Sequence, residues 1–426
     1  MSNAAETNPG SASMDVDPGA RTRMHDVDMV RGLCLVGMFV YHCLIAHHRL
    51  YQITHPFIFD AAIIFVAVSG FMAGLVYGSR RTQPLRLLES VYRRVGVLAL
   101  VHLGLLAALM AALAGDDRIS GGDPALRSFL GAPSVSLGKW FAAVLLLQHQ
   151  PVLFDILPVY IVSMAIAPAF MLATAPVRGL LLLASWTLWL ASWTRGWTQR
   201  DAFTGETIHF ALASWQAVFI TGCVVALERK RVVRWFGKSL FVATAWIIVI
   251  TTTMWVCLPY LASAPPDTFW ERLCSRFGIA VELPERIGKT TVHPVLVISF
   301  AAAALLWWRH RMFVQRIAAS VPGRMLALLG SHTLPIFVFG TLLCIITAWL
   351  RFRVSIGEGQ PTEGFTTGGM LLGQLVIFLC LAMQFALAWF LDYCKRRRRS
   401  LATSHAGAAV GGSPTLAANI DSTSRK

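Results

Sequence analysis

Charged residues are scarce in this chain. They make up 14% of its 426 residues, against 56% hydrophobic ones, whereas soluble domains carry roughly 25% charge. That excludes an ordinary soluble globular protein and points to a membrane. Acidic residues are the scarcest, 22 against 37 Lys and Arg, which leaves a formal net charge of +15. The eight cysteines form no C-x-x-C pair, and nearly all lie in apolar stretches. Cys274 is alone in a long polar connection, so neither a disulfide framework nor a metal site is expected, and the thiols read as buried and inert. The first twenty residues, MSNAAETNPGSASMDVDPGA, have no apolar core of a cleavable signal peptide. No internal repeat is visible.

What is present is a series of long apolar runs. Ten are long enough to approach the roughly 30 Å of a bilayer core. They cover about 29–48, 57–78, 91–114, 152–173, 178–195, 209–228, 239–261, 293–308, 325–349 and 366–393. The run at 138–149 (LGKWFAAVLLLQ) is too short to span and reads as a re-entrant or interfacial helix. With the N-terminus inside, cytoplasmic segments hold 22 Lys and Arg, while the outer loops hold 12 diluted by eleven acidic residues. This asymmetry satisfies the positive-inside rule with both termini cytoplasmic. The expected fold is therefore all-α: a polytopic membrane protein of about ten transmembrane helices in a membrane domain over 24–399. Residues 1–23 and 400–426, poor in anything to bury, read as disordered cytoplasmic ends. Basic loops facing anionic lipid account for the net charge without any nucleic acid.

The first span carries polar groups that a bilayer penalises. "DMVRGLCLVGMFVYH" (28–42) contains Asp28, Arg31 and His42. Inserting an ionisable side chain costs about 2.5–3.5 kcal/mol, so such groups tend to mark sites. Arg31 and His42 are eleven residues apart, almost three whole turns, which puts both on one face about 16 Å apart along the axis. Asp28 is one turn below Arg31 at an ion-pairing distance. Apolar surroundings favour neutral imidazole, the form a general base needs. In the second span, FVAVSGFMAGLVYG (65–78), Ser69, Gly70 and Gly74 allow close helix approach. Arg80, Arg81, Arg86, Arg93 and Arg94 follow within fifteen residues, a cluster able to fork onto phosphate oxygens.

These features together resemble a known family. R-x10-H in the first helix, an SGF-type motif in the second and arginines before the third are similar to the acyltransferase-3 superfamily of membrane proteins. The closer resemblance is to the osmoregulated periplasmic glucan biosynthesis protein C (OpgC) family. It continues through "LLLQHQPVLFDILPVYIVSMAIAP" (145–168), "FALASWQAVFITG" (210–222), "KTTVHPVLVISFAA" (289–302) and "LGSHTLPIFVFG" (329–340). One departure is that the positions just ahead of Ser69 are apolar, the nearest acid being Asp60.

The resemblance implies a multi-pass inner-membrane enzyme that moves an acyl group, typically succinyl, from cytoplasmic acyl-CoA to hydroxyls of periplasmic glucans. Acyl-CoA, here succinyl-CoA, is then a co-substrate, and no bound cofactor is implied. His42 becomes the general base, with Asp28 beside it in the catalytic set. Arg31, Ser69, Arg80, Arg81, Arg93 and Arg94 become the donor-binding side. On the acceptor side, Gln148, His149, Asp155 and Tyr160 surround Pro151 and Pro158, where proline frees carbonyls and a carboxylate can hold sugar hydroxyls. Trp215 and Gln216 add an aromatic platform and an amide. His102 and His332 are secondary candidates, and Trp186, Trp189, Trp193 and Trp197 fit an interfacial belt. Expected partners are the bilayer, the donor and the glucan, with room for self-association or other glucan-synthesis proteins. The competing reading is a transporter or flippase for a glycan or small anion, although such proteins usually show pseudo-repeated halves.

Overall fold

The computed structural model describes residues 24–43, 61–120, 136–261 (apart from 152, 204, 206, 209, 237 and 238), 290–354 and 367–411. Among these residues every regular element is a helix, and extended pairing is limited to one bridge between Arg200 and Thr207. The segment 1–23, the tail beyond 411, Asp60 and Cys274 lie outside the described residues.

Each of the ten apolar runs contains a helix. α1 (His25–His42) and α2 (Ala61–Tyr77) are followed, after a short 3-10 turn, by the long α3 (Pro84–Ser120). A short α4 (Leu137–Leu145) precedes α5 (Ile156–Leu172) and α6 (Ala175–Arg195). Next come α7 (Leu212–Leu227), the basic α8 (Arg229–Phe236) and α9 (Ser239–Leu261). The described elements end with α10 (Pro294–Arg309), α11 (Arg311–Ala319), α12 (Val321–Ser331), α13 (Thr333–Val354) and α14 (Thr367–Gly411).

Among the described residues five segments are long and apolar enough to cross a bilayer: Ala61–Arg80, Pro84–Asp117, Ala175–Arg195, Thr333–Leu350 and Gly373–Arg398. Four shorter apolar helices accompany them. Leu180 and Leu183 of α6 and Trp389 and Phe390 of α14 are exposed, as expected of surfaces that face acyl chains rather than water. The chain is an all-α polytopic membrane protein.

The run at 325–349 differs from its reading as one span. It is two helices, α12 and α13, that meet at His332. Pro335 explains the break. It has no N–H to give the Ser331 carbonyl, and its ring crowds the preceding turn, so it fits only in the first turn of a new helix. In the first span α1 ends at His42, and positions 44–48 lie outside the described residues.

Glycines set the closest helix contacts. A Cβ built at Gly70 of α2 would overlap the Phe219 carbonyl of α7, and one at Gly222 would overlap the Ala67 carbonyl. Gly32 of α1 and Gly330 of α12 are seated on each other's helices in the same way. This is how small residues let transmembrane backbones touch without a hydrophobic driving force. Around these contacts one core runs through α1, α2, α3, α5, α7 and α13, with Ile63, Leu106, Trp215 and Phe219 fully buried.

Candidate functional site

Where α1, α2, α3, α5 and α13 converge, the core opens into a cavity of about 240 Å³. Its walls are mostly apolar, with Met72, Leu98, Leu157 and Phe337 among them. Six polar side chains interrupt them: Arg31, Ser69, Tyr77, Arg94, Tyr160 and Thr333. A larger hollow of about 520 Å³ runs along α6 between Leu180 and Ala191, but it is an open apolar furrow with no ionisable residue.

Arg31, Ser69, Tyr160 and Thr333 each have a structural reason for their place. Arg31 lies one turn above Asp28, with Nη1 3.6 Å from Asp28 Oδ1. Its Nε is buried and meets no hydrogen-bond acceptor among the described residues. One edge of the guanidinium is thus neutralised while another donor is left unmatched. Asp26, two residues before Asp28, is itself tied to Arg311 of α11 at 2.8 Å, which anchors the start of α1. The Tyr160 hydroxyl is 2.9 Å from the Phe65 carbonyl and 2.8 Å from Ser69 Oγ. A carbonyl can only accept, so Tyr160 donates to Phe65 and the Ser69 hydroxyl donates to Tyr160. Thr333 and Leu334 open α13, whose first turn of N–H groups therefore borders the same space. Two guanidinium groups and a helix N-terminus around one cavity favour an anionic ligand.

The structure thus brings together three of the residues expected on the donor side, Arg31, Ser69 and Arg94, with Tyr160, expected on the acceptor side. Arg80, Arg81 and Arg93 are exposed and do not line the cavity, and Arg80 bonds Ser90 of α3. Asp28 stands behind Arg31 as its ion-pair partner. His42 is elsewhere. It is the last residue of α1, half-buried, with its ring edge-on to Tyr41 at 5.0 Å. Because α1 is unbroken from His25 to His42, Arg31 and His42 do share one face.

The remaining acceptor candidates separate from the cavity. Gln148 is exposed at the turn after α4, and Asp155 is buried at the start of α5. The Trp215 indole N–H donates to the Thr290 carbonyl at 3.2 Å. The Gln216 amide is held by Ser185, accepting from its hydroxyl at 2.7 Å and donating to its carbonyl at 3.1 Å. These two side chains join α7 to its neighbours. His149 is buried against Asp201, Nδ1 to Oδ2 at 2.6 Å. Asp201 and Thr333 are residues that sequence reasoning did not single out. Asp201 is 52 positions from His149, and no local spacing joins them. Of the secondary candidates, His102 is buried on α3 and His332 marks the α12–α13 break, 3.9 Å from Asp392.

No curated protein matches the chain. The sequence profile of a family described as OpgC protein matches residues 23–396, from the start of α1 to the basic end of the last apolar run. That match covers most of the chain, including every wall of the cavity, and it places the protein in the OpgC family.

Proposed function

We propose that this OpgC-family protein modifies osmoregulated periplasmic glucans as an inner-membrane O-acyltransferase, with an acyl-CoA, typically succinyl-CoA, as donor. The observation that carries the proposal is the cavity itself, lined by Arg31, Arg94, Ser69 and Tyr160, where Arg31 Nε has no acceptor among the described residues. The donor is anionic, and a half-buried guanidinium with a buried, unmatched Nε–H is suited to one of its charged groups. The exposed Arg80, Arg81 and Arg93 extend the positive field at the same helix ends, which the charge asymmetry assigns to the cytoplasm. In this reading the chain crosses the membrane ten times, with both termini inside.

The chemistry is one nucleophilic substitution at the thioester carbonyl. His42 accepts the proton of a glucan hydroxyl as that oxygen bonds to the acyl carbon, the C–S bond breaks, and CoA leaves as its thiolate. The products are a glucan ester and free CoA. The α12–α13 break gives the transporter reading one supporting observation, since transporters often line their sites with discontinuous helices. Turnover separates the two. Purified protein incubated with succinyl-CoA and glucan should release free thiol, and mass spectrometry should find succinyl groups on the glucan. A transporter releases no thiol. Transport of the glycan without any CoA release would overturn the acyltransferase assignment.

A further inference from the structure

The arginine-lined cavity leaves a second polar cluster unused. The loop after α4 and the loop before α7 are stitched together, with Ala202 N–H donating to the Gln148 carbonyl at 2.8 Å. At the seam lies Asp201, which is buried. Its carboxylate accepts from His149 Nδ1 at 2.6 Å, Gln150 N–H at 3.2 Å and Phe203 N–H at 3.0 Å. This fixes the carboxylate and, through it, the imidazole. In the neutral ring, a proton on Nδ1 makes Nε2 the acceptor.

That acceptor is not used among the described residues. His149 is 1% exposed, and its Nε2 has no hydrogen-bond partner among the described residues. Neither does the buried indole Nε1 of Trp140, nor the amide Oε1 and Nε2 of Gln150. One unmatched acceptor, one unmatched donor and an amide able to do both thus belong to the imidazole that Asp201 holds, to the indole packed beside it and to the next residue in the chain. Native proteins rarely leave such groups buried and unpaired unless a polar partner comes to them. Two aromatic rings flank the imidazole, Phe203 at 5.2 Å and Trp140 at 6.2 Å between centroids.

Mixed donors and acceptors beside aromatic rings suit a polyol ring. Its hydroxyls can both give and take hydrogen bonds, and its C–H faces pack on aromatic surfaces. Charge argues the same way. The buried Asp201 carboxylate repels an anionic donor, while the arginine cavity attracts one. Resting on the acyltransferase reading, we propose that Trp140, His149, Gln150, Asp201 and Phe203 form the acceptor subsite, in which His149 Nε2 takes a hydrogen bond from a hydroxyl of an uncharged sugar. His149 and the two rings would touch the sugar, and Asp201 acts through His149 as a positioning residue.

The test uses full-length protein in lipid nanodiscs and an unsubstituted linear gluco-oligosaccharide, with binding read by calorimetry. Wild type should bind it. Asp201→Asn should weaken binding about tenfold or more and raise the acceptor KM by a similar factor, with the donor KM unmoved. Asp201→Glu should restore part of the loss. Phe203→Leu, which preserves the aspartate, should weaken binding as well, and it decides the matter if Asp201→Asn does not fold. No binding by wild type would mean that water alone satisfies these groups, and the subsite is wrong. Equal binding by wild type and the folded variants overturns it too. If the saccharide binds in the expected pattern but no thiol is released from succinyl-CoA, the acyltransferase reading fails and the sugar subsite stands.

Discussion

Gly330 of α12 rests directly against the Asp28 carbonyl of α1, so closely that a methyl group there would overlap the oxygen. One turn along, Gly32 meets the Leu326 carbonyl in the same manner. Arg31 lies between these two contacts, and its entry angle into the cavity depends on how near α12 is. Gly330→Ala should therefore push the helices apart and cost about 1–3 kcal/mol, the range for overpacking a tight core. Thermal unfolding in detergent should shift downward, and the apparent KM for acyl-CoA should rise with it. Wild-type values for both would show that the two helices are not in contact at this point.

Arg31 is the second prediction. Arg31→Ala removes a donor from the cavity and leaves Asp28, buried at 6% exposure, without its guanidinium. Loss of one partner of a buried pair is strongly destabilising, about 3–5 kcal/mol where burial is complete. Two changes separate the stability effect from the binding effect. The double variant Asp28→Asn/Arg31→Ala should recover stability but not donor affinity, and Arg31→Lys should keep charge while losing the fork. Donor KM measured on the folded double variant decides the matter, and a wild-type value would remove Arg31 from the donor site.

Topology gives the third. Reporter fusions at positions 85 and 400 should be cytoplasmic, and one at position 120 periplasmic, as the distribution of Lys and Arg requires. Alkaline phosphatase activity at 85 or 400 would invert the protein. It would also move the arginine-lined side away from cytoplasmic acyl-CoA.

Residues close in sequence were the legible part of the site. Asp28 and Arg31 are one turn apart, and a helix brings such a pair together whatever surrounds it. Gly70 beside Ser69 in an apolar run had one plain physical use, close helix approach, and α7 occupies that place. The contact that Tyr160 makes was not legible, for the opposite reason. Its chain neighbours put it at the outer end of a span, yet its hydroxyl reaches Ser69, 91 positions away, because α5 is short and begins deep in the core. The His149–Asp201 pair depends likewise on two loops meeting. The α12–α13 break was hidden by averaging: hydropathy registers the apolar run on both sides of Pro335, not the backbone bond that proline cannot make. The partners of Trp215 and Gln216, Thr290 and Ser185, are distant in sequence and were not legible either.

The last prediction concerns His42. It shares a face with Arg31 on an unbroken helix and ends that helix half-buried, outside the cavity that holds the arginines. A base so placed would act where an acyl group reaches up from the donor pocket to meet a hydroxyl. General-base assistance is worth roughly 10²–10⁴ in rate, so His42→Ala should abolish detectable glucan acylation without loss of insertion or of acyl-CoA binding. His42→Gln is the sharper control. The amide keeps hydrogen bonding but cannot take up a proton at neutral pH. If His42 only packs against Tyr41 and closes the helix, Gln should be active and Ala merely less stable. If it is the base, both variants should melt near the wild-type temperature, bind donor normally and transfer nothing. Substantial transfer by His42→Gln would falsify the role, and the proton would then have to go to another buried imidazole. His102 and His149 are the candidates, each with a ring nitrogen that has no hydrogen-bond partner among the described residues.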